Sequence, residues 1–266
     1  MKKTPIFVAL FLVLSLTFAM SASAGSALDR IMKKGELAVG TSGTQPPMSA
    51  TTKKGELIGM DIDISRAMAD ALGVKLKFVT MPFAELLPAL EAGKVDMILS
   101  GMTMTAERNK KAAFVGPYLV TGKGIVAIEE RFVALKEAKG LNTPEVKVGV
   151  LKGSTSQKFA EASMSKAKLM PFSSYDEAID LLLKGKIDVM VADFQFCALT
   201  AYRNREKGLI AGQSPLSFEP LGIAMAEDTL LINWVQNFLN QFAGTGEMKK
   251  LNEKWLNIGS WIDELP

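Results

Sequence analysis

Apolar positions along this chain follow two alternating periods. Short continuous runs such as Leu37-Ala-Val-Gly-Thr41, Met97-Ile-Leu99 and Ile187-Asp-Val-Met-Val-Ala192 read as strands covered on both faces. Between them the apolar residues recur at helical spacing. Asp61 to Leu72 is predicted as a helix, with Ile64, Ala67, Met68, Ala71 and Leu72 as its buried stripe, Asp61 and Asp63 in its first turn and Gly73 at its C-terminal cap. Val74 to Thr80 then alternates as a strand, and Phe83 to Ala92 predicts a short helix that Pro88 would kink. Asp228 to Phe242 and Glu247 to Leu256 are two further amphipathic helices, with Trp255 and Trp261 expected to pack the C-terminal end onto a core. Strands and helices alternate throughout, which argues an α/β fold over an all-α or all-β one.

The pattern also repeats. Residues 90 to 100, Leu-Glu-Ala-Gly-Lys-Val-Asp-Met-Ile-Leu-Ser, match residues 182 to 192, Leu-Leu-Lys-Gly-Lys-Ile-Asp-Val-Met-Val-Ala. Each reads as a helix end, a glycine cap, a lysine and a buried strand. Upstream, Leu37 to Thr41 runs into Ser42-Gly43-Thr44, and Val146 to Val150 runs into Lys152-Gly153-Ser154-Thr155-Ser156. Two α/β units on one plan are therefore expected, with strand ends facing each other across a cleft, because open α/β sheets bind ligands beyond the carboxyl ends of their strands. Lobe 1 is expected over residues 25-120 and 218-266 and lobe 2 over 121-217, joined by crossings near Lys123 and Phe218 that form a two-strand hinge.

The strand ends carry the candidate chemistry. Asp96-Met-Ile-Leu-Ser-Gly-Met-Thr-Met-Thr-Ala-Glu-Arg108 runs from a strand into a hydroxyl-rich turn ending in one arginine. Backbone N–H groups, the Ser100 and Thr103 hydroxyls and the Arg108 guanidinium suit a carboxylate, which a planar guanidinium can bind through both oxygens. The strand Ile187 to Ala192 ends instead on Asp193, an anion. Donors on one wall and an acid on the other suit a zwitterion such as a free amino acid. Taken singly, such an arginine is more often a solvated surface residue, and such an aspartate is often a helix N-cap; the repeat is what favours the functional reading.

Composition narrows the classes. Lys2-Lys3, the apolar run Ile6 to Met20 and Ala22-Ser23-Ala24 form a secretory leader over residues 1-24, too short in its apolar part for the roughly 20 residues of a spanning helix. A soluble exported protein is expected. With Lys2 and Lys3 set aside, the 31 basic and 28 acidic residues come close to balance, so neither nucleic acid nor an anionic membrane is an expected partner. Cys197 is the only cysteine, which excludes an internal disulfide, and it reads as a small buried hydrophobe. The chain has no histidine, which excludes histidine triads and the commonest metal ligand. No cofactor or metal is expected.

These motifs, with Gly59-Met-Asp-Ile-Asp-Ile64 and Val148-Gly-Val-Leu-Lys-Gly-Ser-Thr-Ser156, resemble the family 3 extracellular solute-binding proteins over residues 28 to 261. The resemblance implies a two-lobed periplasmic receptor of the type II binding-protein fold that closes on an amino acid and serves an ABC-type importer, its permease being the expected protein partner and a monomer the expected state. It also implies roles. Arg108 would hold the ligand α-carboxylate with Thr103, Ser154 and Thr155, while Ser100, or its neighbouring backbone, and Asp193 would hold the ammonium. Phe83 would flank the ligand side chain, and Gly101 and Leu151 complete the lining. Where the family often shows an acid and, three residues on, an aromatic, this chain has Ser42 and Gln45. A basic ligand is accordingly not expected, and Gln45, Lys152 and Gln195 are candidate side-chain contacts. The same fold hosts a periplasmic cyclohexadienyl dehydratase whose catalytic acid is a glutamate at the position of Asp193, so an enzyme is the alternative but not the expected reading. A receptor-kinase sensor would need a spanning helix after residue 266.

Overall fold

The structure is a computed structural model that describes residues 26-134 and 137-266. The secretory leader lies outside the described residues. Among these, no helix is long and apolar enough to cross a membrane.

The chain enters through α1 (Ala27–Lys34), whose Ser26 cap and Asp29 form a reciprocal capping box and whose Gly35 ends it in the left-handed conformation. Strand β1 (Glu36–Thr41) leads to three short strands, β2 (Thr44–Gln45), β3 (Ser49–Thr51) and β4 (Leu57–Ile58), which pair as a small sheet. Helix α2 (Met60–Leu72) begins at Gly59, where φ is +135° and a Cβ would lie 2.2 Å from the Met48 carbonyl oxygen, so only glycine fits. Then come β5 (Lys75–Thr80), a 3-10 turn at Phe83–Glu85 with α3 (Leu86–Glu91), and β6 (Met97–Ile98). The predicted Phe83–Ala92 helix is divided between that 3-10 turn and α3, and Pro88 lies in the first turn of α3, where no N–H has an intrahelical partner to lose. Strand β7 (Ala113–Thr121) passes through Gly122 into β8 (Lys123–Ala127).

The second unit follows: α4 (Glu130–Val133), β9 (Lys147–Leu151), α5 (Thr155–Ser163), β10 (Lys168–Phe172), α6 (Tyr175–Leu183), β11 (Val189–Asp193), α7 (Phe194–Arg203) and β12 (Ile210–Ala211). The chain returns through β13 (Glu219–Met225) to α8 (Thr229–Gly244) and α9 (Glu247–Trp255).

Two five-stranded sheets carry the duplication. One has the order β5-β1-β6-β13-β7 and the other β10-β9-β11-β8-β12. In each, a central strand pairs in parallel on both sides, β1 with β5 and β6, and β9 with β10 and β11; the fourth strand is antiparallel. The repeated aspartates are equivalent too. Asp96 Oδ2 accepts from Ala38 N–H at 2.8 Å and Asp188 Oδ2 from Lys147 N–H at 2.7 Å, each tying the start of its strand to the neighbour. The fourth strands, β13 and β8, are the segments that follow the two expected crossings.

Leu37, Val39, Ile64, Met68, Met97 and Ile223 share the core of the first lobe with Trp255, Trp261 and Ile262, so the C-terminal segment completes that lobe. Trp255 Nε1 also donates to Asp63 Oδ2 at 2.9 Å. Val148, Val150, Val189 and Val191 centre the second core. A third cluster joins Phe83, Leu86 and Ile98 of the first lobe to Leu151, Tyr175 and Phe196 of the second, so the lobes are closed on each other. Cys197 is buried and its thiol is pushed up by burial.

We propose that the lobes divide at the two crossings, and these touch. A Cβ on Gly122 would lie 2.1 Å from the Ser217 carbonyl oxygen and 2.6 Å from Pro215 Cβ, while Lys123 N–H donates to Ser217 Oγ at 3.0 Å. Gly122→Ala is expected to destabilise the protein by about 1 to 3 kcal/mol, the usual cost of overpacking. Urea unfolding checks this; an unchanged midpoint would mean that the crossings separate at no cost.

Candidate functional site

Beyond β6 the chain turns sharply at Gly101, whose φ is +58°. Its N–H donates to Asp61 Oδ2 at 2.6 Å, and Asp61 Oδ1 accepts from Tyr118 Oη at 2.7 Å. Asp61 stands in the first turn of α2, fully buried. Burial pushes its carboxyl up to about 7, against the opposing effect of the Tyr118 and Gly101 donors. The helix-start aspartate of the sequence pattern thus pins the turn that presents Thr103.

Arg108 folds back beneath this turn. Nη1 donates to the Thr103 carbonyl at 2.8 Å and Nη2 to the Gly153 carbonyl at 3.3 Å, and the guanidinium carbon lies 5.5 Å from the centre of the Phe83 ring. Burial lowers its pKa to about 10, with Asp193 and Glu219 acting in the other direction, so the guanidinium remains charged at neutral pH. It is buried, not a solvated surface residue.

On the facing wall β9 ends at Leu151, Gly153 takes a φ of +72° and Ser154 caps α5. Ser154 Oγ accepts from Gln157 N–H at 3.1 Å and donates to the Leu151 carbonyl at 2.7 Å. With that hydroxyl engaged in the cap, Thr155 is the hydroxyl that reaches across: its Oγ1 lies 3.2 Å from Thr103 Oγ1.

Asp193 occupies the N-cap position of α7 yet makes no side-chain cap bond. Its Oδ2 accepts from Gln45 Nε2 at 2.6 Å and its Oδ1 from Lys123 Nζ at 2.6 Å. Lys123 is 1% exposed and also lies 3.4 Å from Glu219 Oε2. The sequence pattern missed Lys123 as a site residue. The available signal was a lysine between two glycines in an otherwise apolar run.

A small cavity remains between the walls. Gln45, Phe83, Gly101, Thr103, Leu151, Ser154, Thr155 and Asp193 line it, joined by Lys123, Ser156 and Tyr175. Ser42 and Ser100 bond to each other beside it: Ser100 Oγ accepts from Ser42 N–H at 2.9 Å and donates to Ser42 Oγ at 3.1 Å. Lys152 is exposed, and Gln195 accepts from the Thr121 hydroxyl near the hinge. Among the described residues no group of three or more Asp, Glu or Cys side chains is arranged to hold a metal ion. Chemically, the cavity offers threonine hydroxyls to an anion and a carboxylate already paired with an ammonium, while the Arg108 guanidinium stands behind Thr103, bonded to the Thr103 and Gly153 carbonyls.

Residues 37–258 match the model of the bacterial extracellular solute-binding proteins, family 3. The chain belongs to that family. Its two-lobed type II fold and its place outside the cytoplasmic membrane agree with what the resemblance and the leader imply. The chain is 39% identical to the ancestral amino acid-binding protein AncCDT-1, a precursor of cyclohexadienyl dehydratase, over 87% of this chain and 100% of that one, with a TM-score of 0.79. A putative ABC-transporter binding component from Wolinella succinogenes, complexed with lysine, is 34% identical over 86% of this chain and 99% of that one, with a TM-score of 0.82. Among curated relatives, the cyclohexadienyl dehydratase of Pseudomonas aeruginosa is 29% identical over 87% of this chain and 86% of its own length. The L-arginine-binding protein of the same organism is 37% identical over 58% of this chain and 60% of its own length.

Two expectations are corrected by these relatives. Excluding a basic ligand does not hold for family members that bind arginine and lysine. That expectation rested on Ser42 and Gln45, of which Ser42 is turned onto Ser100 beside the cavity and Gln45 onto Asp193, and it took no account of Glu219, which lies against Lys123. Excluding an enzyme does not hold either, since a dehydratase matches over nearly the whole chain. An aspartate in place of a glutamate is too small a difference to exclude proton transfer at Asp193.

Proposed function

We propose that this family 3 protein is a periplasmic receptor that captures an amino acid between its lobes and delivers it to an ABC-type importer. The observation that carries the reading is the meeting of Thr103 and Thr155 from two lobes at one cavity that Asp193 also lines, with the Arg108 guanidinium bonded to the Thr103 and Gly153 carbonyls beside them. In this reading Arg108 and the threonine hydroxyls take the α-carboxylate, helped by the N-terminus of α5, where backbone N–H groups are free to face an anion. Asp193 faces the α-substituent, and Phe83 and Tyr175 flank the side chain. Relatives bound to arginine and lysine keep basic amino acids among the candidates.

Native mass spectrometry of the purified protein, with a thermal-shift screen of the amino acids, tests this reading. A copurifying amino acid and a raised melting temperature are expected; no response to any of them would overturn it. Closure is a second expected outcome. A ligand that touches Arg108 on one wall and Thr155 on the other has more contacts in the closed form, and so shifts the population toward it. The radius of gyration from small-angle scattering should fall on saturation.

A dehydratase reading is favoured by the Pseudomonas relative and by the buried Lys123–Asp193 pair at the cavity, a cation and an acid in contact. Incubation with a cyclohexadienyl carboxylate, followed by absorbance of an aromatic product, tests it. No product would leave the receptor alone.

A further inference from the structure

Asp193 comes to the cavity with a cation already in place. Lys123 and Asp193 are directly opposed in the antiparallel pairing of β8 with β11, so their side chains leave the same face of the sheet side by side. Lys123 Nζ is 2.6 Å from Asp193 Oδ1 and 3.4 Å from Glu219 Oε2. Gln45 Nε2 occupies the other Asp193 oxygen. An ammonium carries three hydrogens. One is given to Asp193 in a hydrogen bond; the ammonium is only ion-paired with Glu219, whose Oε2 accepts no hydrogen bond among the described residues.

Lys123 lines the same cavity as Thr103, Thr155 and Asp193. A ligand whose carboxylate rests on Arg108 therefore presents its α-substituent to Lys123 as well as to Asp193. An α-ammonium meets a competing cation there, whereas an oxo or hydroxyl oxygen meets a donor. We propose that Lys123 supplies from the protein the positive charge that Asp193 would otherwise take from the ligand, so that the site accepts 2-oxo and 2-hydroxy carboxylates alongside α-amino acids. This rests on the receptor reading above and widens its substrate class. Lys123 is then a specificity-determining residue, setting how strongly the nitrogen at the α-carbon is required.

The test is calorimetric titration of matched pairs: L-phenylalanine with phenylpyruvate and phenyllactate, L-glutamate with 2-oxoglutarate, and L-arginine with its 2-oxo analogue. In the parent protein, at least one oxo or hydroxy acid is expected to bind within about tenfold of its amino acid. Removing Lys123 alone would strand two buried carboxylates. The variant is therefore Lys123→Met combined with Glu219→Gln, which leaves Asp193 free for a ligand ammonium and the net charge of the cluster unchanged. Its preference for the amino acid over the deaminated partner should rise by about tenfold or more, a ratio that a general loss of fold would not move. A smaller rise overturns the proposal. If the variant does not fold, the parent decides alone: a preference above tenfold for the amino acid in every pair that binds overturns it. Amino acids bound with their analogues rejected would remove only the role of Lys123, whereas a parent that binds no member of any pair would remove the receptor reading and this proposal together.

Discussion

Arg108→Ala is expected to weaken binding of the copurifying amino acid by roughly 30-fold to several-thousand-fold, the equivalent of about 2 to 5 kcal/mol for removing one partner of a buried charged pair. The guanidinium is held by the Thr103 and Gly153 carbonyls from opposite walls, so the substitution removes a link between the lobes as well as the anion donor. Arg108→Lys should fail almost as badly, because a point charge cannot bond two carbonyls and both carboxylate oxygens in fixed geometry. Calorimetry decides the matter: affinity within threefold of the parent would show that the ligand carboxylate lies elsewhere.

Asp61→Ala is expected to have the largest effect on stability. It leaves the Gly101 N–H and the Tyr118 hydroxyl buried without their acceptor, each at a cost of about 1 to 3 kcal/mol, and it frees the turn that presents Thr103. The parent should also show a pH signature. With its pKa raised from 3.8 to about 7, Asp61 holds a proton in the folded state that the unfolded chain releases above pH 3.8. Its contribution is therefore fully present at acid pH and is lost as pH rises through about 7, after which it is flat. Urea unfolding at pH 5 and pH 8 should show the parent losing a few kcal/mol relative to Asp61→Asn, which cannot titrate. Tyr118→Phe removes a donor that favours the carboxylate and should carry the loss to higher pH. Parallel profiles for parent and Asp61→Asn would mean that the carboxyl is ionised throughout.

Much of this architecture is legible in the sequence because it is written twice. The matching segments around Lys94 and Lys186 become equivalent strands with equivalent aspartates, and two sheets of the same order follow. Helix ends are legible for a local reason: Gly73 adopts the left-handed cap, and Asp228 caps α8 by accepting from Leu231 N–H. What was not legible depends on contacts between distant residues. Asp61 has a sound local role in a helix's first turn, and nothing nearby announces Gly101 as its partner. Lys123 reads only as the place of a crossing; the register that sets it opposite Asp193 is what brings it to the site. The choice between Ser154 and Thr155 likewise depended on which hydroxyl the helix cap would consume.

The strand order of the first lobe also bears on how the chain is made. Strand β13 sits inside that sheet, between β6 and β7, but it follows the whole of the second lobe in the chain. As the polypeptide emerges from the ribosome, β6 and β7 therefore wait with open edges, while the strands of the second lobe, β8 to β12, form a consecutive set that can pair without them. Open edges invite pairing with other chains, and closing the sheet around a long intervening segment carries a loop-entropy cost that local contacts do not offset. The N-terminal part cannot mature before synthesis has passed residue 225. A newborn chain is thereby kept pliant until its last quarter is made, the condition in which a secreted polypeptide can still be threaded through a membrane.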